Sequence, residues 1–170
     1  MNSNKIGNQT YQALKYLFLN SKDMQDEAKK LGWERDNLSY AKEFCTIKLT
    51  TARRSGHSTA IAKLVNEYHD HKWSLLGYNL AMAERNLNLI RQYDKGFISK
   101  ATKSYVEFQS GGKVDFMSLQ NFENNLRGIE FDGIIVDCAC MMSQNKMERL
   151  YDSAIPCMQF RPYMFFIFVE

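Results

Sequence analysis

Proline is nearly missing from this chain: two occur in 170 residues. That excludes a proline-rich linker array. Excess charge of one sign is missing too. Against 22 Lys and Arg stand 19 Asp and Glu, a formal net charge of +3, too small to mark a nucleic-acid binder by charge alone. No apolar run approaches the roughly 20 residues of a membrane span, so no membrane partner is expected. The polar start, Met1-Asn2-Ser3-Asn4-Lys5, is unlike a secretion signal, and a cytoplasmic protein is expected. Cysteine is sparse: Cys45, Cys138, Cys140 and Cys157. Without a secretion signal they are expected to be reduced thiols. Cys138-Ala139-Cys140 with Cys157 matches none of the usual zinc spacings, and no histidine is close in sequence. Buried free cysteine is the expected reading.

What the chain does have is core material. Hydrophobic residues make up 45% and aromatic residues 13%, enough for one globular domain. Apolar residues at Ala13, Leu14, Leu17 and Phe18 follow a helical period and predict a helix over 9–31. A second short helix is expected over 36–43, starting near Asp36. Strands are expected over 44–49, 73–79, 103–109, 113–118, 134–136 and 163–169. Helices are expected over 58–69, 80–92, 119–126 and 143–151. Strands alternating with helices predict an α/β domain with a mainly parallel sheet. The boundaries drawn are a helical extension at 1–40 and the domain proper at 41–170.

Two segments carry chemistry. The first, residues 52–59, reads ARRSGHST and lies between a strand and a helix. Such a loop aims backbone N–H groups at an anion, and the helix dipole adds to them. Gly56 permits close approach of a phosphate. Ser58 is placed to offer its hydroxyl to Mg²⁺. Position 57 is where a phosphate-binding loop has its lysine; His57 is shorter and carries no permanent charge. Arg53 and Arg54 offer forked guanidinium contacts in partial compensation. Thr51 stands where the first glycine of the pattern belongs. Without a ligand, the same residues read as a basic turn.

The second segment, residues 131–139, reads FDGIIVDCA. Its consecutive β-branched residues suit a strand buried on both faces. Asp137 ends it, where a Mg²⁺-linked carboxylate belongs. The next position should be a carboxylate that orients the attacking water. It is Cys138, neutral unless its pKa is lowered. A buried strand that happens to end in aspartate is the plainer alternative. If both segments serve one Mg²⁺, the strand near 45–51 is expected beside the strand near 132–137.

In order, the two segments resemble those of phage large terminase ATPase domains. Residues 52–59 resemble the first nucleotide motif, where Gly-Lys-Thr is usual. Residues 73–88 resemble the next strand–helix unit. Residues 116–128 (FMSLQNFENNLRG) look like the lead-in to the second motif, and 131–139 like that motif with Asp-Cys for Asp-Glu. Residues 163–169 look like the strand of the coupling motif. Superfamily 2 helicases share this order. The resemblance spans about residues 40–170 and implies a three-layer P-loop NTPase-like fold descended from a DNA-motor ATPase, with ATP and Mg²⁺ as cofactors. It implies nucleotide contacts from Arg53, Arg54, Ser55, Gly56, His57, Ser58 and Thr59, and Mg²⁺ held by Ser58 and Asp137. His57 and Cys138 argue against full catalytic strength, so weak or absent nucleotide binding, poor or absent hydrolysis and action mainly through binding are expected; the alternative is an active DNA-linked ATPase or a nucleic-acid-binding accessory domain. Neither a terminase nuclease domain nor a second helicase domain is expected within these 170 residues.

Expected partners are a host or phage protein, in the host-cell cytoplasm if the chain is phage-encoded. Nucleic acid is a further candidate, through Arg53, Arg54, Lys95, Lys100, Lys103 and Lys113 with Tyr105 for stacking. Those charges also read as a solvated face. A second copy of the chain is the last candidate, because the apolar strand at 163–169 must be covered on both faces or paired.

Overall fold

The computed structural model describes residues 3–33, 37–53, 55–120, 122–126 and 129–169. Thirteen elements organise them. In chain order they are α1 (Ser3–Lys30), α2 (Asn37–Phe44), β1 (Thr46–Thr51), α3 (His57–Glu67), β2 (Lys72–Gly77), α4 (Leu80–Tyr93), β3 (Ile98–Ala101), β4 (Tyr105–Phe108), β5 (Lys113–Ser118), α5 (Phe122–Asn125), β6 (Phe131–Val136), α6 (Gln144–Ala154) and β7 (Met158–Val169). The strands form one sheet ordered β1-β7-β6-β2-β5-β4-β3. Neighbours from β1 through β5 run parallel, and β4 and β3 are antiparallel.

Alternation along the central strands sorts side chains to two faces. Trp73 and Leu75 of β2, Ile135 of β6, and Tyr163, Phe165 and Ile167 of β7 point to one core. There they meet Leu14 and Phe18 of α1, Ile61, Leu64 and Val65 of α3, and Leu87 and Ile90 of α4. Leu76, Ile134, Val136 and Phe166 point the other way, against Ala41 of α2, Phe122 of α5, and Leu150, Tyr151 and Ala154 of α6. Helices therefore cover both faces, and the expected three-layer α/β domain is what the chain builds. Gly133 makes room for this packing. A Cβ there would lie 2.5 Å from Cζ3 of Trp73, so only glycine lets the buried indole cross β6.

One expected adjacency is wrong. β1 does not lie beside β6; β7 separates them, paired to β1 on one side and β6 on the other. Strand order is set by the crossovers, which local patterning does not encode. The same insertion resolves the apolar strand at 163–169. Phe165, Phe166 and Ile167 are buried within the domain itself, so β7 needs no second copy to cover it.

Smaller differences have local causes. β3, not foreseen, is four residues long and only half-buried at its ends, so it lacks an apolar signature. The helix expected over 119–126 shrinks to α5. Leu119 is still tied to β2, its N–H donating to the Gly77 carbonyl at 2.8 Å. Asp36 and Arg54 lie outside the described residues.

Candidate nucleotide site

The loop after β1 turns at Gly56, whose φ of 76° and ψ of 25° lie in the left-handed region, where a side chain is strained. Helix α3 begins at once. Its first helical bond runs from the Ala60 N–H to the Gly56 carbonyl at 2.9 Å, and no side chain caps it. The N–H groups of its first turn are therefore left for something beyond the helix. Thr10 of α1 buttresses the loop by donating its hydroxyl to the Ser55 carbonyl at 2.8 Å. Ser55 Oγ is buried without a hydrogen-bond partner. Buried polar groups are seldom left so, and each exception asks for a reason.

Asp137 follows β6. Its N–H donates to the Leu76 carbonyl at 2.9 Å, which fixes it at the end of the sheet next to the loop. Its residue is fully buried. His57 Nε2 approaches Oδ1 at 3.2 Å, and Cys138 Sγ approaches the same oxygen at 3.7 Å. Asn86 of α4 donates Nδ2–H to Oδ2 at 2.9 Å, and Ser58 Oγ lies 3.5 Å from that oxygen. Both carboxylate oxygens thus have donors already.

Burial raises the Asp137 pKa, but the hydrogen bond from His57, then that from Asn86, then the His57 charge and the Cys138 bond outweigh it and hold the carboxyl below its ordinary value. A folded pKa below the unfolded one stabilises the fold above the unfolded value, and the gain disappears as pH falls through the folded one. The window lies below 3.8. Asp137→Asn should therefore lose less stability than wild type when urea unfolding is compared at near-neutral pH and in that acid window. An equal loss in both proteins would contradict the assignment.

Cys138 has φ of 61°, alone among the described non-glycine residues in that region. Backbone strain of this kind concentrates at functional sites. Burial first, then the Asp137 charge, pushes its thiol up to about 12, so it is neutral and no substitute for a glutamate base.

Most of the expected site residues converge. Ser55, Gly56, His57, Ser58 and Thr59 are half-buried, Arg53 is exposed, and Asp137 lies 3.5 Å from Ser58 across the site. Arg54 falls outside the described residues. Asn86 was not foreseen: an asparagine within an ordinary helix carries no sequence signal, and only the α4 packing brings it to Asp137. The basic residues proposed for nucleic acid assemble only in part: Lys100 and Lys113 gather at Tyr105, apart from Arg53. Arg53 follows β1 at one edge of the sheet, whereas Lys100 and Lys113 flank the Tyr105 ring at 5.2 and 4.8 Å near the other. Lys95 lines a separate cleft with Tyr11, Lys63 and Phe97.

The cysteine reading needs correction as well. Cys45 is buried, Cys138 and Cys157 are half-buried, and Cys140 is exposed. Cys157 donates to the carbonyls of Leu126 and Ser153.

The donor set fits Mg²⁺ poorly. That ion takes oxygen ligands in a near-ideal octahedron. Here a nitrogen and a sulfur crowd one carboxylate oxygen.

No protein-family model matches the sequence, and no curated protein is significantly similar to it. Solved structures are similar in shape. The large terminase of a thermophilic bacteriophage superposes with a TM-score of 0.58 at 11% identity, over 77% of this chain and 37% of that one. The same terminase in complex with ATP-γ-S gives 0.52 at 12% identity, over 77% and 36%. A variant of the ATPase domain of a Thermus phage large terminase gives 0.53 at 11% identity, over 75% and 62%. The match thus spans little more than a third of the first of these terminases. At such identities the likeness concerns the fold: a mostly parallel α/β sheet, covered on both faces, of the kind found in phage large terminase ATPase domains.

Proposed function

We propose that this is a phage-type P-loop NTPase-like protein that binds nucleotide weakly or not at all, hydrolyses it poorly or not at all, and acts mainly through binding. The observation that carries the reading is the uncapped N-terminus of α3 behind a left-handed Gly56, facing an Asp137 whose oxygens are already taken. The first is an anion site. The second is the carboxylate that would hold Mg²⁺, its oxygens already met by His57, Asn86, Ser58 and Cys138. A nucleotide's phosphates would meet the N–H groups of residues 56–59 and the guanidinium of Arg53. Position 138 offers no base to activate water, because the Cys138 thiol is neutral. The nucleotide pocket would then serve structure or regulation, and a host or phage protein would be engaged by another surface.

A titration of labelled ATP against wild type and Gly56→Val tests the binding step. The branched side chain at a left-handed position should distort the loop and weaken binding by about tenfold or more, some 1.4 kcal/mol or above. Measurable wild-type binding that Gly56→Val leaves unchanged would refute the loop as the site.

A further inference from the structure

We infer that His57, Asp137 and Cys138 form a site for a borderline-soft divalent transition metal such as Zn²⁺. Their ligand atoms (an imidazole nitrogen, a carboxylate oxygen and a sulfur) all lie within 4.8 Å of one another. Nitrogen, oxygen and sulfur together are the donor set of zinc and its neighbours, and a poor one for Mg²⁺.

The distances support this further. In a tetrahedral zinc site, bond lengths of about 2.0–2.3 Å place nitrogen and oxygen ligands about 3.4 Å apart and sulfur and oxygen about 3.6 Å apart. Here Nε2 of His57 is 3.2 Å and Sγ of Cys138 is 3.7 Å from the same Oδ1 of Asp137. Two of the three ligand–ligand edges are therefore already near their bound lengths. The backbone at Cys138 is left-handed, and its sulfur lies on the Asp137 side. Asn86 donates to the other oxygen at 2.9 Å, the kind of outer contact that orients a ligating carboxylate. Nε2 of His57 now hydrogen-bonds Oδ1 of Asp137; a metal on Nε2 would replace that contact and leave the ring proton on Nδ1, which is buried without a partner. A water would complete the tetrahedron as the fourth ligand. Such an ion would join the start of α3 to the end of β6. The Cys138 thiol gives up its proton on binding.

This inference does not rest on the nucleotide reading, and its test contains no nucleotide. Co²⁺ is titrated into the full chain under reducing conditions, and the thiolate-to-metal charge-transfer absorption is followed. One Co²⁺ per chain is expected, displaced by Zn²⁺ and untouched by millimolar Mg²⁺. Cys138→Ser should abolish the absorption, while Cys140→Ser keeps it. His57→Gln and Asp137→Asn should weaken binding by about tenfold or more. Circular dichroism checks that each variant is folded, and Cys138→Ser, the smallest change, decides. Thermal unfolding gives a second readout: Zn²⁺ should raise the midpoint of wild type but not of Cys138→Ser. No charge-transfer absorption in wild type, or absorption that survives Cys138→Ser, would overturn the inference.

Discussion

Replacing His57 by Lys and Cys138 by Glu together is expected to raise ATP turnover over wild type on the order of a thousandfold. The reason is the geometry around Asp137. A lysine at 57 would reach past the carboxylate to the transferring phosphate, and would leave Oδ1, now 3.2 Å from the imidazole, free to receive Mg²⁺. A glutamate at 138 would restore a base where the thiol is held neutral. Both groups act in one transition state, so the double change should exceed the product expected from the two single ones. The left-handed backbone at 138 works against the gain, because a non-glycine residue there is strained, but Cys138 already bears that strain. Steady-state phosphate release on the four proteins measures the effect. A double variant no faster than the better single variant would contradict the assignment of these positions.

Phe18→Ala should destabilise the chain by about 3–5 kcal/mol. The ring is 2% exposed and sits between α1 and the sheet, 4.5 Å from Tyr68 and Tyr163 and 5.9 Å from Phe165, centroid to centroid. Removing it opens a cavity lined by aromatic rings that belong to other elements and cannot close around the gap. Urea unfolding followed by Trp fluorescence reports the loss, since Trp73 lies 6.2 Å from the same ring. The outcome also bears on the organisation of the chain. Residues 1–40 are proposed as a helical extension of the domain at 41–170, folding onto it through Leu14 and Phe18. A loss under about 1 kcal/mol would mean that α1 is dispensable to the core.

What could be read from the sequence was what local patterning encodes. The run of Ile134, Ile135 and Val136 announced a doubly buried strand, and Gly56 announced the turn before α3. The convergence of Ser58 with Asp137 followed from asking where two motif fragments must meet. Strand order did not follow: nothing in residues 163–169 says that β7 enters between β1 and β6. Asn86 was silent because its role depends on the packing of α4 over β2 and β5. The His57–Asp137–Cys138 cluster was hidden for a related reason. The spacing around Cys138 contains no histidine, while the fold delivers one from a distant part of the chain. Both orphaned atoms at the loop, Ser55 Oγ and His57 Nδ1, are visible only once the backbone has closed over them.

The central claim is that a phosphate-binding frame persists here without its chemistry. The wild-type arm of the turnover experiment tests it most directly: ATP is titrated with and without Mg²⁺, and product is then followed on the same sample. The account predicts weak or absent binding that Mg²⁺ does not strengthen, and ADP formed at about a thousandth of an ordinary rate or not at all. Mg²⁺-dependent binding with turnover at roughly the 1–100 s⁻¹ typical of kinases would contradict it.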